Sequence, residues 1–300
     1  MKVLLTGGSG LIGSALNKYL TAKGMEVAIL SRKKDLKTKS FHWAPAQNKM
    51  DPEALKWADA VIHLAGAGIV DKKWTSERKK VLIDSRVNSA QLIHKSLQEN
   101  NLSINSFISA SGIGYYGAET KEHIYTEKDA PSAHFISEIC IKWEEAANQF
   151  KELNIPTTII RTGVVLTLSG GALEKIAKPI KLGIGSPLGT GKQYVPWIHI
   201  DDLCAIFYEA LTNKELENET YNAVAPEGIS NKDLTHTIAE TIGKKIWAPA
   251  VPSFILKIIL GTRGDLVLKG SRVSCDKIEK TGFKFSYSHL KEALKAIYSK

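Results

Sequence analysis

The residues with chemical potential begin almost at the N-terminus. An apolar run starting at Lys2 breaks into glycines within Thr6-Gly7-Gly8-Ser9-Gly10-Leu11-Ile12-Gly13, and a helix-compatible segment, 11–23, follows. A buried strand, a tight glycine turn and a helix N-terminus form a cradle for the pyrophosphate of a dinucleotide. Gly7 permits the turn, Gly10 lets backbone N–H groups approach the phosphates, and Gly13 lets the helix pack on the strand. The helix dipole favours the anion. Flexible loops use the same residues, so the strand before and the helix after carry the assignment. The spacing is GxxGxxG rather than GxGxxG.

A second signal lies at the end of the next strand, 26–31, where an adenosine ribose would sit. NAD sites usually place Asp or Glu there. Here the chain reads Ile29-Leu30-Ser31-Arg32-Lys33-Lys34, with no acid before Asp35. Arg32 can pair bidentately with a 2′-phosphate and Ser31 can donate to it, whereas a carboxylate would repel it. The cofactor expected is therefore NADP(H); the other reading is a solvated basic turn. Leu64-Ala65-Gly66 offers small residues for the dinucleotide to lie against, and the neighbouring His63 reads as a core histidine.

The elements that must position these residues alternate along the chain. Strands are expected at 26–31, 40–43, 59–65, 105–110 and 156–166, and helices at 74–99 and 133–152. This rhythm predicts an α/β fold, a Rossmann-type doubly wound parallel sheet with right-handed crossovers, in which ligands bind at the carboxyl ends of the strands. After Leu166 the rhythm changes. A helix from Ser169, a glycine-rich loop 183–191, a strand 195–200, a helix capped by Asp201-Asp202 and another capped by Ser230 follow. Two or three helices are expected beyond Pro249. We expect a cofactor domain of 1–166 plus roughly 195–225. A smaller, mostly helical C-terminal substrate domain takes roughly 167–194 plus 226–300.

Composition narrows the class. Apolar residues make up 43% of the 300, enough for a substantial core. No apolar stretch has the length of a bilayer span, and no secretory leader is expected before Lys2. The three cysteines, Cys140, Cys204 and Cys275, are far apart, so free thiols in a reducing compartment are expected, with no metal site. A net charge of +9 is compatible with nucleic-acid or membrane binding. The lysines are dispersed, however: Lys33, Lys34, Lys37 and Lys39, then Lys72, Lys73, Lys79 and Lys80. Without an RNA-binding signature they read as the surface of a cytoplasmic protein that attracts a polyanion, without nucleic-acid or membrane partners.

Taken together, these residues resemble the extended short-chain dehydrogenase/reductases, the group that contains nucleotide-sugar epimerases. Thr6–Gly13 looks like the family's cofactor fingerprint, His63-Leu64-Ala65-Gly66 like its fourth-strand motif, and Arg161-Thr162-Gly163-Val164-Val165-Leu166 like its sixth-strand motif. The likeness is closer to the "epimerase family" branch, through Trp74, Ser85-Arg86, Ser109 to Gly117, Trp143-Glu144, Pro196-Trp197-Ile198-His199 and Gly270-Ser271-Arg272-Val273. The resemblance implies cofactor contacts from Gly7, Gly8, Ser9, Gly10, Leu11, Ile12, Gly13, Ser31, Arg32, Leu64, Ala65, Gly66, Ser109, Arg161, Gly163 and Val164. Arg86 is a candidate contact for the cofactor phosphate or ribose, or else a helix-surface ion pair.

The family's chemistry rests on a Ser/Thr and a YxxxK pair on one helix, the lysine lowering the tyrosine's pKa so that the phenol can move a proton. In that helix here, 134–144, there is no tyrosine. Aligning Glu144 with the family puts Ile136 where Tyr belongs and Cys140 where Lys belongs. YxxxK does occur at Tyr19/Lys23 and Tyr287/Lys291, both decoys by context. Near the reacting ring stand Ser111 (the register could instead select Ser109), Tyr115 and Tyr116, as proton carriers or as pocket walls and packing aromatics. Ser85 stands where many relatives have Asn. Lys178, Lys181 and Lys192 around loop 183–191 could fold over an anionic substrate such as a nucleotide sugar, or form a solvated crossover. His199 reads as structural. The function expected is an atypical NADP(H)-dependent reductase or epimerase acting on a small molecule. The alternative is a non-catalytic NADP(H)-binding sensor or interaction protein. The chain is expected to be a monomer, or a homodimer through the 74–100 and 133–152 helices.

Overall fold

A computed structural model describes residues 1–32, 38–120 and 122–299. Lys33, Lys34, Asp35 and Lys37 lie outside the described residues. The chain runs β1 (Lys2–Thr6), α1 (Leu11–Ala22), β2 (Glu26–Ser31), β3 (Lys39–Ala44), β4 (Lys49–Met50), α2 (Glu53–Trp57), β5 (Ala60–His63), α3 (Ser76–Glu99), β6 (Ser106–Gly112) and β7 (Ile124–Tyr125). Then come α4 (Phe135–Asn148), β8 (Thr157–Thr162), β9 (Val164–Leu166), α5 (Gly171–Lys181), β10 (Trp197–His199), α6 (Ile200–Thr212), β11 (Thr220–Ala223) and α7 (Asn231–Thr241). The tail holds α8 (Ser253–Leu260), α9 (Asp265–Leu268), β12 (Arg272–Val273), α10 (Asp276–Glu279) and α11 (Leu290–Tyr298).

The main sheet has eight strands in the order β11-β8-β6-β5-β1-β2-β3-β4. β1 pairs in parallel with β2 on one side and β5 on the other. The chain therefore leaves β1 in one direction and returns on its far side, the switch point at which doubly wound sheets open a crevice beyond the strand ends. The Rossmann expectation holds.

The chain forms two compact units. The first comprises Met1–Tyr115, Glu138–Arg161 and Cys204–Tyr221. Its strands are apolar on both faces because helices cover both; Leu4, Val61 and Phe107 are fully buried, and the Phe107 and Phe150 rings stack with centroids 3.6 Å apart. The second comprises Tyr116–Ser137, Thr162–Leu203 and Asn222–Lys300. Its core gathers Leu166, Leu173, Trp197, Leu234, Ile238 and Leu294.

Four local expectations change. The strand expected over 156–166 divides at Gly163. Val164–Leu166 leaves the main sheet and pairs in parallel with Trp197–His199, where a Cβ on Gly163 would stand 2.7 Å from the Pro196 carbonyl. A short antiparallel return, β3 to β4, precedes the strand expected at 59–65. Asp202 does not cap its own helix; its carboxylate accepts from the Ser286 and Tyr287 N–H groups at 2.8 and 3.0 Å. The tail beyond Pro249 has four helices rather than two or three. Ser230 caps α7 as expected, in a capping box with Asp233.

Candidate functional site

The first unit builds its site from the ends of β1 and β5. Thr6 Oγ1 accepts from the N–H groups of Leu64 and Ala65, each at 3.0 Å. Gly7 has φ +67°, and a Cβ on it would press on the Leu64 carbonyl carbon at 2.9 Å. A Cβ on Gly13 would sit 2.3 Å from the Gly7 oxygen, so α1 can start this close to β1 only with glycine there. Gly10 is the N-cap of α1 and makes no side-chain capping bond. The first-turn N–H groups keep their hydrogen-bonding capacity for an anion, and the helix dipole adds to the attraction. Gly8 and Gly13 are buried, Ser9 and Gly10 exposed, and Leu11 and Ile12 half-buried. The cradle thus fits a pyrophosphate.

Ser31 ends β2, paired across from His42, and Arg32 follows it, exposed. Beyond β5, Leu64 and Ala65 are half-buried and Gly66 is exposed. A Cβ on Gly66 would lie 2.7 Å from the Arg86 guanidinium carbon, so the glycine leaves room for that group to approach. Arg86 is buried rather than lying on the helix surface. Its Nη1 donates to the Leu82 and Ala67 carbonyls at 2.8 and 3.2 Å, and the guanidinium packs over the Trp143 ring at 4.8 Å. Its Nε is buried with no partner, and desolvation pulls its pKa down to about 10. Ser85 braces the same loop, accepting from the Ala67 N–H at 2.9 Å.

His63 is fully buried. Its Nδ1 accepts from the Trp143 indole at 3.0 Å, so the ring proton sits on Nε2, 2.7 Å from the Ser89 hydroxyl. Burial, reinforced by the Arg86 charge, lowers its pKa to about 3.

Beyond β6 a second cluster forms. Ser111 donates to Glu144 Oε1 at 2.7 Å. Arg161 grips the same carboxylate twice, Nε to Oε1 at 2.9 Å and Nη2 to Oε2 at 2.8 Å. The Arg161 guanidinium lies 3.4 Å from the centre of the Tyr115 ring. Arg161, implied above as a cofactor contact, is placed against Glu144 and Tyr115. Ser109 is buried inside β6, where its hydroxyl donates to the Ala110 carbonyl at 3.0 Å; Ser111 is the serine at the strand end. Ile136, Cys140 and Glu144 follow at four-residue spacing on α4. Burial, with the Glu144 charge, pushes the Cys140 thiol up to about 11, so Cys140 stays a neutral thiol near neutral pH and supplies neither a base nor the positive charge of the family's lysine.

Glu144 is the residue that motif reasoning passed over, using it only as a register mark. The available signal was an acid four residues after Cys140 on a face that must bury.

In the second unit Tyr116 is buried and donates to the Asn222 side-chain oxygen at 2.8 Å, the placement of a packing aromatic. Gly163 donates to the Ala223 carbonyl at 3.0 Å and Val164 to that of Pro196 at 2.8 Å. His199 is buried, accepts from the Asp201 N–H at 3.0 Å and has its ring tilted against that of Tyr287 with centroids 3.9 Å apart. Neither YxxxK pair is assembled for proton transfer: Lys23 lies over the Tyr19 and Tyr208 rings, and Lys291 pairs with Glu240 at 2.7 Å. The three cysteines are free and buried.

The sequence profile of the NAD dependent epimerase/dehydratase family matches residues 3–223. The chain belongs to that family. Residues 251–297 match a further profile, a domain of unknown function, DUF1731. An epimerase family protein of Staphylococcus aureus is 35% identical over 300 residues, covering 97% of each chain. The crystal structure of human epimerase family protein SDR39U1 with NADPH is 30% identical, with TM-score 0.88 over 100% of both chains. A nucleoside-diphosphate sugar epimerase from Corynebacterium glutamicum is 29% identical, with TM-score 0.80 over 99% of this chain and 58% of that one. No helix of the described residues is long and apolar enough to cross a membrane.

Proposed function

We propose that this family member is an NADP(H)-binding reductase or epimerase of atypical proton chemistry, acting on a small carbonyl or hydroxyl compound such as a nucleotide sugar. The observation that carries the reading is the cradle at the β1–β5 switch point, joined to a β2 end where Arg32 replaces the usual acid. Residues Gly7 to Gly13 would hold the pyrophosphate, and Ser31 and Arg32 the 2′-phosphate. Leu64, Ala65 and Gly66 form the floor, and Arg86 lies beneath it as a fixed positive charge. A bound nicotinamide supplies hydride transfer.

Ser111 and Tyr115 are the groups available to handle the proton that accompanies it. Glu144 orients the Ser111 hydroxyl, and Arg161 holds the Tyr115 ring. Tyr115 is preferred over Tyr116 because it stands in the first unit against Arg161, beside the Ser111–Glu144 pair, whereas Tyr116 is buried against Asn222. The relative solved with NADPH and the nucleotide-sugar epimerase both support this reading.

A second reading is a protein that holds NADP(H) without turnover, favoured by Ile136 and Cys140 in place of Tyr and Lys. One experiment separates the two: NADPH binding by fluorescence titration, alongside NADPH oxidation on ketones, aldehydes and nucleotide sugars. Turnover lost in Tyr115→Phe establishes the enzyme; tight binding with no oxidation across the panel establishes the holder.

A further inference from the structure

The basic residues are spread along the chain, but the acidic ones that balance them are missing from two stretches. Residues 175–200 and 241–264 contain no Asp or Glu. The first stretch carries Lys175, Lys178, Lys181 and Lys192, the second Lys244, Lys245, Lys257 and Arg263. With histidines neutral, these eight cations nearly equal the whole net charge of +9.

Both stretches belong to the second unit, which stitches them together. The Trp247 indole donates to the Gly183 carbonyl at 2.7 Å, and the Ser186 hydroxyl donates to that of Pro249. Val251 donates to the Pro187 carbonyl and Gly189 to that of Val251, each at 2.9 Å. The same stretches carry the large apolar side chains most exposed in this unit. Leu182 and Ile184 flank Gly183, Trp247 is 74% exposed, and α8 presents Phe254, Ile259 and Ile258, the last 79% exposed. Only Leu256 of α8 is buried. Positions 254, 255, 258 and 259 share one helical face by their three- and four-residue spacing.

Exposed apolar patches of this kind mark interaction surfaces, and the charge selects the partner. Two copies meeting about a two-fold axis would bring the cations of these two stretches against their own copies. Protein interfaces also deplete charge from their cores, whereas Lys257 interrupts this apolar run. An anionic bilayer satisfies both components: aliphatic and aromatic side chains enter the headgroup boundary while ammonium groups meet lipid phosphates. We propose that this face of the second unit, built from α8, Trp247 and the 182–184 turn, docks peripherally on an anionic lipid surface. α8 would lie on the bilayer without crossing it. The proposal is independent of the cofactor reading, since it uses none of the cradle residues.

The test is co-sedimentation of the full chain with vesicles of phosphatidylcholine alone and of phosphatidylcholine with phosphatidylglycerol. Binding is expected only to the second, and it should weaken as salt rises. Lys244→Gln with Lys245→Gln should lower partitioning about thirtyfold, the effect of two lysines near an anionic surface. Phe254→Ser with Ile258→Ser should abolish it; these side chains are exposed, and circular dichroism verifies that the variant folds. Addition of the anionic vesicles should shift Trp emission to the blue in the parent chain and not in Trp247→Phe. No sedimentation with anionic vesicles, equal binding to both vesicle types, or binding indifferent to these substitutions overturns the proposal. So does a dimer of the parent chain that the Phe254/Ile258 variant converts to monomer, because a second copy then covers the face.

Discussion

Arg161 and Arg86 are both buried in the first unit, yet their surroundings differ in kind. Arg161 has a full counter-charge, its two-pronged bond to Glu144, and an aromatic face in Tyr115. Arg86 has two carbonyls, the Trp143 ring and an unsatisfied Nε. A buried ion pair is costly to break from one side, because the remaining charge loses both water and partner. A buried cation held by carbonyl dipoles and an aromatic ring already carries part of that cost, since desolvation pulls its pKa down. Arg161 is therefore part of the scaffold that holds Ser111 and Tyr115, and Arg86 is a buried charge bound through two carbonyls and the Trp143 ring. Arg32, exposed at the end of β2, is a third case, a charge that stays in contact with water.

The largest effect that can test this contrast is Glu144→Ala. It strands the Arg161 charge and should cost about 3–5 kcal/mol in denaturant unfolding. Next is Arg32→Ala, which should weaken NADPH binding by about 2 kcal/mol, roughly thirtyfold, and leave NADH nearly unchanged. Equal losses for the two cofactors would remove the 2′-phosphate assignment.

His63 reports on the field around Arg86. Its folded pKa is near 3 against an ordinary 6.5, so between those values the unfolded chain binds a proton that the folded chain refuses. Its contribution to stability is complete above pH 6.5 and declines as the pH falls, by about 1.4 kcal/mol per pH unit. His63→Phe should flatten that acid limb, and an unchanged limb would show that His63 takes up a proton in the fold. Ser111→Ala should cost about 1 kcal/mol, since Glu144 keeps Arg161.

The smallest change is expected from Arg86→Met, within about 1 kcal/mol of the parent or more stable, because a near-isosteric apolar chain removes the desolvation cost. The same variant should show a smaller rise in Tm on adding NADPH. A loss as large as that of Glu144→Ala would erase the distinction between the two arginines.

The parts of the molecule readable in advance are those whose causes are local. Thr6 to Gly13 announces itself because a strand, a positive-φ turn and a close helix start each demand particular residues within a few positions. The ends of β2 and β6 follow from where apolar runs stop, and the capping box at Ser230 from a spacing of three. The division at Gly163 was not readable: Thr157–Thr162 and Val164–Leu166 have the same β-branched character. Only the availability of Trp197–His199 as a partner draws the second half away.

Tyr115 and Tyr116 are likewise equal neighbours in sequence. Asn222, more than a hundred positions onward, takes the Tyr116 hydroxyl, while Arg161 takes the Tyr115 ring. The sequence by itself determined the parallel sheet, the anion cradle and the absence of the Tyr/Lys pair from α4, since backbone geometry and helical spacing depend on near neighbours. Only the tertiary structure decided that Glu144 joins Ser111 to Arg161 and that the Arg86 guanidinium lies buried against Gly66 and the Trp143 ring. A buried charge is defined by what the folded chain places around it, and that arrangement is non-local.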